Sequence, residues 1–510
     1  MTNIPNALLN DGHVEGTPHR MGPWTGGVRY DIPQELVPVD SLFKMQDMEI
    51  GPSGECRKRP GSSTHIATAP SSNTGVGVGK IRFSASTERK FYCMNAIFYE
   101  DVNGTWTDRS GGLTISNDPD NFLCWVDAFG TGFFTDGVNA PFKWAAAGGN
   151  VTTAGISARF TTARGVSWHD QRVWWWNTNS SEGEIWFSDQ DNLEAIGANS
   201  FFDVKGPITA VAAVNKTLYV HTYDQVWRID KTGNTTSPYQ LHPSIKFGAG
   251  SVRNIGILPG GRQVIGRTEG FYLWDGASAP IKISQQLEGE RYWNEIQSEA
   301  IEELDIMGML VNPIKGHVWC FLTHFFTSTT INHVMVYDYL RNRWFGPYNI
   351  AASSWAFLDG NIYTTGYSDG LVHVWDASIN DSGTAIASFM ETSAVAPEGE
   401  IYQTQWHFAR VYYNGQNTAA DVTATQSGPG IGTLSSTNSI SSGYQGIGSI
   451  QIGVSAIAGP GVLNPRDIDL QGFGVNSKIK LENEEINETF NVRFIDQVYT
   501  SHGIVRRDDG

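Results

Sequence analysis

Short apolar and aromatic runs fill most of this chain, each broken by Gly, Asn or Asp before it is long enough for a helix. The unit is clearest around Gly270. Arg262-Gln263-Val264-Ile265 leads into a Gly-bounded turn and out through Phe271-Tyr272-Leu273-Trp274-Asp275-Gly276. Gly270 can take the positive φ of a tight turn, so the stretch predicts a hairpin. Equivalent figures end at Trp144, Trp186, Trp227 and Trp375, with Val336-Tyr337-Asp338 and Phe98-Tyr99-Glu100-Asp101 as aromatic variants. The intervals between Trp144, Trp186, Trp227 and Trp274 are 42, 41 and 47 residues, close to the roughly 40–50 of one four-stranded propeller blade. A hairpin cannot bury its aromatic face alone, so a repeat of this period implies sheets stacked radially on one another.

The pattern predicts an all-β chain. The expected architecture is a six- to seven-bladed β-propeller over residues 66–380. Residues 1–65 are expected to form an N-terminal arm with the first strands, and 381–510 a C-terminal β-sandwich-like platform. Residues 1 to about 25 are rich in Pro, Gly and His and only weakly periodic. They read as an arm whose Ile4, Leu8, Leu9, Met21 and Trp24 dock on another subunit. From about Ser378 the aromatic hairpins give way to Ser/Gly/Thr-rich strands such as Gln403–Tyr413 and Phe490–Val498. Gln285–Asp305 is the one helix-like stretch, and its many acids read as a solvated face rather than metal ligands.

At 510 residues, with 17% charged and 12% aromatic residues and 56 glycines, the chain exceeds one core and suits many short strands. The net charge of −17 argues against a protein that grips nucleic acid by counterion release. Cys56, Cys93, Cys124 and Cys320 have unrelated spacings. Buried reduced thiols are expected, with a Cys93–Cys124 disulfide as the alternative. No apolar run reaches the roughly 18–20 residues of a membrane span, and the N-terminus lacks the pattern of a signal peptide.

Catalytic, cofactor and metal residues are expected to be none. There is no Gly-x-Ser-x-Gly elbow, P-loop or His-Glu-x-x-His. Gly75-Val76-Gly77-Val78-Gly79-Lys80 lacks the Ser/Thr and helix of a phosphate loop and reads as a flexible linker. Asp101–Trp106 keeps only the tail of a sialidase Asp-box. Asp136, Asp189, Asp230, Asp275, Asp338 and Asp376 recur with the repeat, as turn-stabilising carboxylates would. Trp174-Trp175-Trp176 invites a sugar-platform reading, but strand alternation sends Trp175 to the opposite face, and packing between sheets is the stronger expectation.

One resemblance adds to this. Gly26-Gly27, a Pro-containing stretch, Asp40, Met48, then Arg57, Arg59, Pro60 and Gly61 form an opening similar to that of tail nozzle or hub proteins of short-tailed bacteriophages. Asn103–Asp108, the excursion after Ile283-Ser284, the strands Gly316–Phe321 and Val334–Asp338, and Arg343-Trp344 also resemble that family. The resemblance implies a structural, non-enzymatic virion protein, made in the host cytoplasm. It would form a ring of six that extends the DNA channel below the portal and adaptor and retains or conducts the genome. Its partners would be further copies of itself, the adaptor or portal, tail fibre or needle proteins, and genomic DNA held without sequence-specific binding. The acid excess would then line the channel, with Arg57 and Arg59 at subunit contacts. The alternative is a carbohydrate-binding or glycan-cleaving propeller of host recognition.

Overall fold

The computed structural model describes residues 16–156, 159–288, 307–323, 331–367, 369–397, 402–414, 420–428, 432–440, 463–468, 472–474 and 476–504. Strands dominate, and seven of the sheets have four strands each. Their first strands are Gly75–Ser84, Cys124–Ala128, Ala163–His169, Ile208–Val214, Ile255–Ile257, Gly308–Asn312 and Ser354–Leu358. Each of these strands contacts the first strand of the next sheet, and the seventh returns to the first. The result is a closed, propeller-like cycle with the first strands innermost.

The repeat read from the sequence lands on one position of this cycle. Ile97–Asp101, Phe142–Trp144, Glu184–Phe187, Val226–Lys231, Gly270–Trp274, His333–Asp338 and Val372–Ser378 are all third strands. Strand alternation then aims side chains into the seams on either side. Trp174 and Trp176 are buried with Leu218, Val220 and Ile229 of the fourth sheet. Trp175, one residue between them, is buried with Phe133 of the second. A fully buried aromatic of this size contributes several kcal/mol, about 3–5 by the cost of truncation to Ala. The carbohydrate platform considered at Trp174–Trp176 is therefore absent, because all three rings are inside the protein.

Seven sheets need twenty-eight strands, and the last one comes from the other end of the chain. Gly61–Thr64 pairs antiparallel with Val372–Ser378 and completes the seventh sheet. A side chain at position 61 would collide with the backbone of Asn380. The first 65 residues are thus shared among several sheets. Thr17–Met21, Met48–Ile50 and Cys56–Lys58 belong to a seven-stranded sheet built on Tyr402–Asn414 and Asn491–Ile504. Gly27–Val28 and Ser41–Gln46 belong to a six-stranded sheet with Ser388–Thr392, Lys478–Asn483, Ala420–Gly428 and Gly432–Ile440. The buried faces of these two larger sheets share one apolar cluster with the fifth to seventh small sheets.

Three expectations change. Met21 and Trp24 are buried within their own chain, at 1% and 0% exposure; Ile4, Leu8 and Leu9 lie outside the described residues. Gly75–Lys80 is not a linker. It begins the innermost strand of the first sheet, where Cβ atoms at Gly77 and Gly79 would meet Leu123, and Phe91 and Trp125, at 2.8 Å or less. Glycine there serves close approach, not flexibility. Of the helix-like stretch, Gln285–Leu287 is a single 3₁₀ turn, and 289–306 lies outside the described residues.

A chain beginning at residue 65 lacks the closing strand and five strands of the two larger sheets. It is expected to lose its cooperative thermal transition by near-UV circular dichroism. A cooperative melt within a few degrees of the full chain would show that closure is dispensable.

Candidate functional site

The residues that opened the chain's most distinctive motif gather at one seam, between the closed cycle and the two larger sheets. Asp47 has a left-handed backbone (φ 51°), which turns its carboxylate back into the protein. There Oδ1 accepts from Asn349 N at 3.0 Å and from Arg59 Nε at 2.5 Å. The other edge of the Arg59 guanidinium donates to both oxygens of Asp381, at 2.9 and 2.6 Å. Asp381 Oδ1 in turn accepts from Ser62 N in the closing strand. Arg59 is 2% exposed and lies over the rings of Trp375 and Tyr348. Burial opposes its charge, but the bonds to Asp381 and Asp47 outweigh that and hold it more firmly protonated than usual.

Arg59 therefore cannot be the subunit contact expected of it. Arg57 is part-exposed and pairs with buried Glu49. Gly27 fits the same seam: with φ +82°, its Cα faces the Trp344 carbonyl so closely that a Cβ would lie 2.6 Å from the oxygen. Arg343 bridges inward from the sixth sheet, donating to the carbonyls of Ile50 and Gly51 and pairing with Asp338.

The once-per-repeat acids divide into two groups. Asp136, Asp275 and Asp338 accept from backbone amides two and three residues on, as turn-stabilising carboxylates do. Asp189, Asp230 and Asp376 instead pair with Arg172, Arg228 and Lys315. They do not converge on one centre. Among the described residues no group of His, Cys, Asp and Glu could hold a metal ion. All four cysteines are free, Cys93 and Cys124 included.

A cluster that sequence reasoning did not single out closes one end of the cycle's axis. Phe122, Arg164, Arg253 and Trp355 come from the starts of inner strands or the loops before them. The Arg253 guanidinium carbon is 3.3 Å from the Phe122 ring centre and 4.6 Å from that of Trp355. Its Nη1 donates to Ser353 O at 2.8 Å. Arg164 also lies over the Phe122 ring, at 4.3 Å. Beneath them is a cavity of about 250 Å³ lined in part by Val78, Trp125, Val166 and Val211. The only available signal was four unremarkable residues far apart in sequence, at the loop ends of the repeat.

Comparison with known proteins gives likeness of fold alone. No family model matches the chain, and no curated protein does. Among solved structures, the computationally designed Ika8 protein shares 11% identity, with a TM-score of 0.37. The match covers 61% of this chain and 99% of that one. The extracellular domain of BT4673 from B. thetaiotaomicron, described as a hybrid two-component system, gives 11% and 0.44, covering 83% of this chain and 62% of that one. This chain thus matches less than two thirds of that extracellular domain. An exo-β-1,3-galactanase from Phanerochaete chrysosporium gives 10% and 0.26, covering 76% and 97%. No activity is carried over from any of them.

Two predictions follow from the buried polar groups. Arg59→Ala strands Asp47, itself 2% exposed, and is expected to cost about 3–5 kcal/mol in denaturant unfolding. Arg228→Ala, which removes a solvent-exposed pair with Asp230, should cost less than about 1 kcal/mol. Equal losses would place Arg59 on the surface in solution. The second concerns His221, fully buried with Nε2 3.1 Å from Gln263 Oε1. Burial pushes it down to about 3. An unfolded imidazole titrates near ~6.5, so below that pH the unfolded chain binds a proton that the folded chain refuses. Stability from this group is complete above about pH 6.5 and falls as the pH drops towards 3. The unfolding midpoint should decline between about pH 6.5 and 4, with a shallower slope in His221→Gln. Identical slopes would remove His221 as the source.

Proposed function

We propose that this chain is a structural subunit of a bacteriophage tail: a seven-bladed β-propeller carried on a two-sheet, sandwich-like platform and repeated around a ring. One observation carries the reading. Three of the residues on which the resemblance rests join platform to propeller: Gly27 lies against Trp344, Arg59 bridges Asp47 and Asp381, and Gly61 starts the closing strand. Motif residues that serve the junction of two units belong to an architecture, not to a binding or catalytic pocket.

The blocked axis bears on where DNA would run. A duplex whose major groove alone is about 12 Å wide cannot thread an axis where Arg253 lies 3.3 Å from the Phe122 ring centre. The conduit would lie between subunits, bounded by their outer surfaces. With a chain charge of −17, repetition around a ring favours an acidic wall that keeps DNA from sticking. The ring of six, the adaptor or portal and fibre or needle partners, and the virion location belong to this proposal.

A second reading, glycan recognition, is favoured by a polar groove beside Arg164, and the two roles are compatible in one tail protein.

Antibody raised against the purified chain is expected to label virions at the tail vertex in negative-stain micrographs, and the purified tail to show the chain as a ring. Virions that lack the chain would overturn the proposal. So would turnover of host glycan by the pure chain that one carboxylate substitution abolishes.

A further inference from the structure

The axial cluster continues sideways into a groove between the second to fifth sheets. It encloses about 550 Å³, within the roughly 300–1,000 Å³ of small-ligand sites. Its wall is made of hydroxyls and amides, Thr162, Asn177, Asn179, Ser181 and Thr209 among them, with Arg164 at one side and Glu182 at another. The groove meets the axial cavity at Val252, next to Arg253.

Two features of this wall are unlike ordinary surface polarity. The first is uncompensated positive charge. Arg164 Nη2 donates to the Asp120 carbonyl at 2.7 Å, and Arg253 to the carbonyls of Ser353 and Pro119. These acceptors are neutral, and among the described residues neither guanidinium has a carboxylate within ion-pair distance, although most other arginines do. Burial first, and the adjacent Arg164 charge second, pull Arg253 down to about 9, partly offset by Tyr367, Cys124 and Asp120. The second is unmet hydrogen bonding. Arg164 Nη1 is buried without a partner, and so is the hydroxyl of Ser251, a residue 1% exposed on the groove wall. A buried donor left unmade is a cost to the fold, which a ligand can recover.

We propose that this groove binds a carboxylate-bearing sugar, the uronic acid unit of an acidic polysaccharide. The carboxylate meets the free edge of Arg164, in the planar two-point geometry that guanidinium and carboxylate share. Ring hydroxyls are matched by the Ser251, Thr209 and Asn177 side chains, and Glu182 accepts from one of them. A neutral sugar would leave Arg164 as it is, and a duplex is too broad to enter a groove between sheets. The site goes beyond the proposed structural role and stands or falls separately from it, since it requires neither a ring nor a virion.

The test uses the full chain, titrated with tri-galacturonic acid by isothermal calorimetry and saturation-transfer NMR, alongside galactotriose, acetate and inorganic phosphate. Uronate binding is expected, with galactotriose silent and the two small anions at least tenfold weaker. Arg164→Gln should weaken the uronate at least tenfold while the chain keeps a cooperative thermal transition. Ser251→Ala, which removes no protein hydrogen bond, should weaken it a few-fold and keeps the test intact if the Arg164 variant misfolds. Absence of uronate binding overturns the proposal. So does binding that both variants leave untouched, or acetate and phosphate binding as tightly as the sugar, which would mark a general anion site.

Discussion

Closure of the sheet cycle is the constraint on which the rest of the structure depends. Seven stacked sheets expose two apolar faces unless the last one meets the first, and the strand that completes the seventh sheet is Gly61–Thr64, far from it in sequence. Such a long-range pairing carries a large loop-closure cost before it returns any contact. The protein offsets it with a clamp at the point of entry. Arg59 is held by Asp47 on the platform side and Asp381 on the sheet side, while Asp381 also takes the amide of Ser62. A buried pair of this kind adds little net stability over apolar packing. Its value is positional: only one register of the closing strand satisfies all three charged groups.

Between the sheets, cohesion comes from aromatic packing laid down by period-two alternation. Phe98 and Trp144 meet across the first seam at 5.2 Å, and Tyr219 and Trp274 across the fourth at the same separation. Five seams have clusters of their own and the other two share one with the larger sheets, so stability is spread around the cycle, as in repeat architectures where neighbours hold neighbours. That is why the repeat was legible without a structure. A third strand needs a large ring at a fixed distance from its turn, and sequence preserves that distance.

What escaped the sequence lies where one residue answers to partners hundreds of positions away. Arg57 and Arg59 have the same spacing as any two residues on one strand face, yet one is part-exposed and the other sealed. The difference is made by Asp381 and Trp375, neither of which is implied by local pattern. Gly75–Lys80 misled for the opposite reason: alternating glycine marks mobility in a linker and crowding near an axis, and only the neighbouring Leu123 and Trp125 distinguish the two. Phe122, Arg164, Arg253 and Trp355 carry no motif at all, since topology alone brings four loops together.

The axial cluster also limits what the cycle can do. In a closed ring of sheets the inner strands leave a passage, and here bulky side chains fill its mouth: two guanidiniums lie over Phe122, and Trp355 backs one of them. Burial first, and the neighbouring Arg164 charge second, depress the basicity of Arg253. Neutral carbonyls hold the arginines in place without discharging them. A structural plug built for stability alone would pair each cation with a carboxylate or replace it by an apolar side chain. Keeping both charges uncancelled, beside an unmet hydroxyl, is the arrangement of a site kept ready for an anion. On this argument the same four residues close the axis to a macromolecule and hold one edge open to a small acidic ligand.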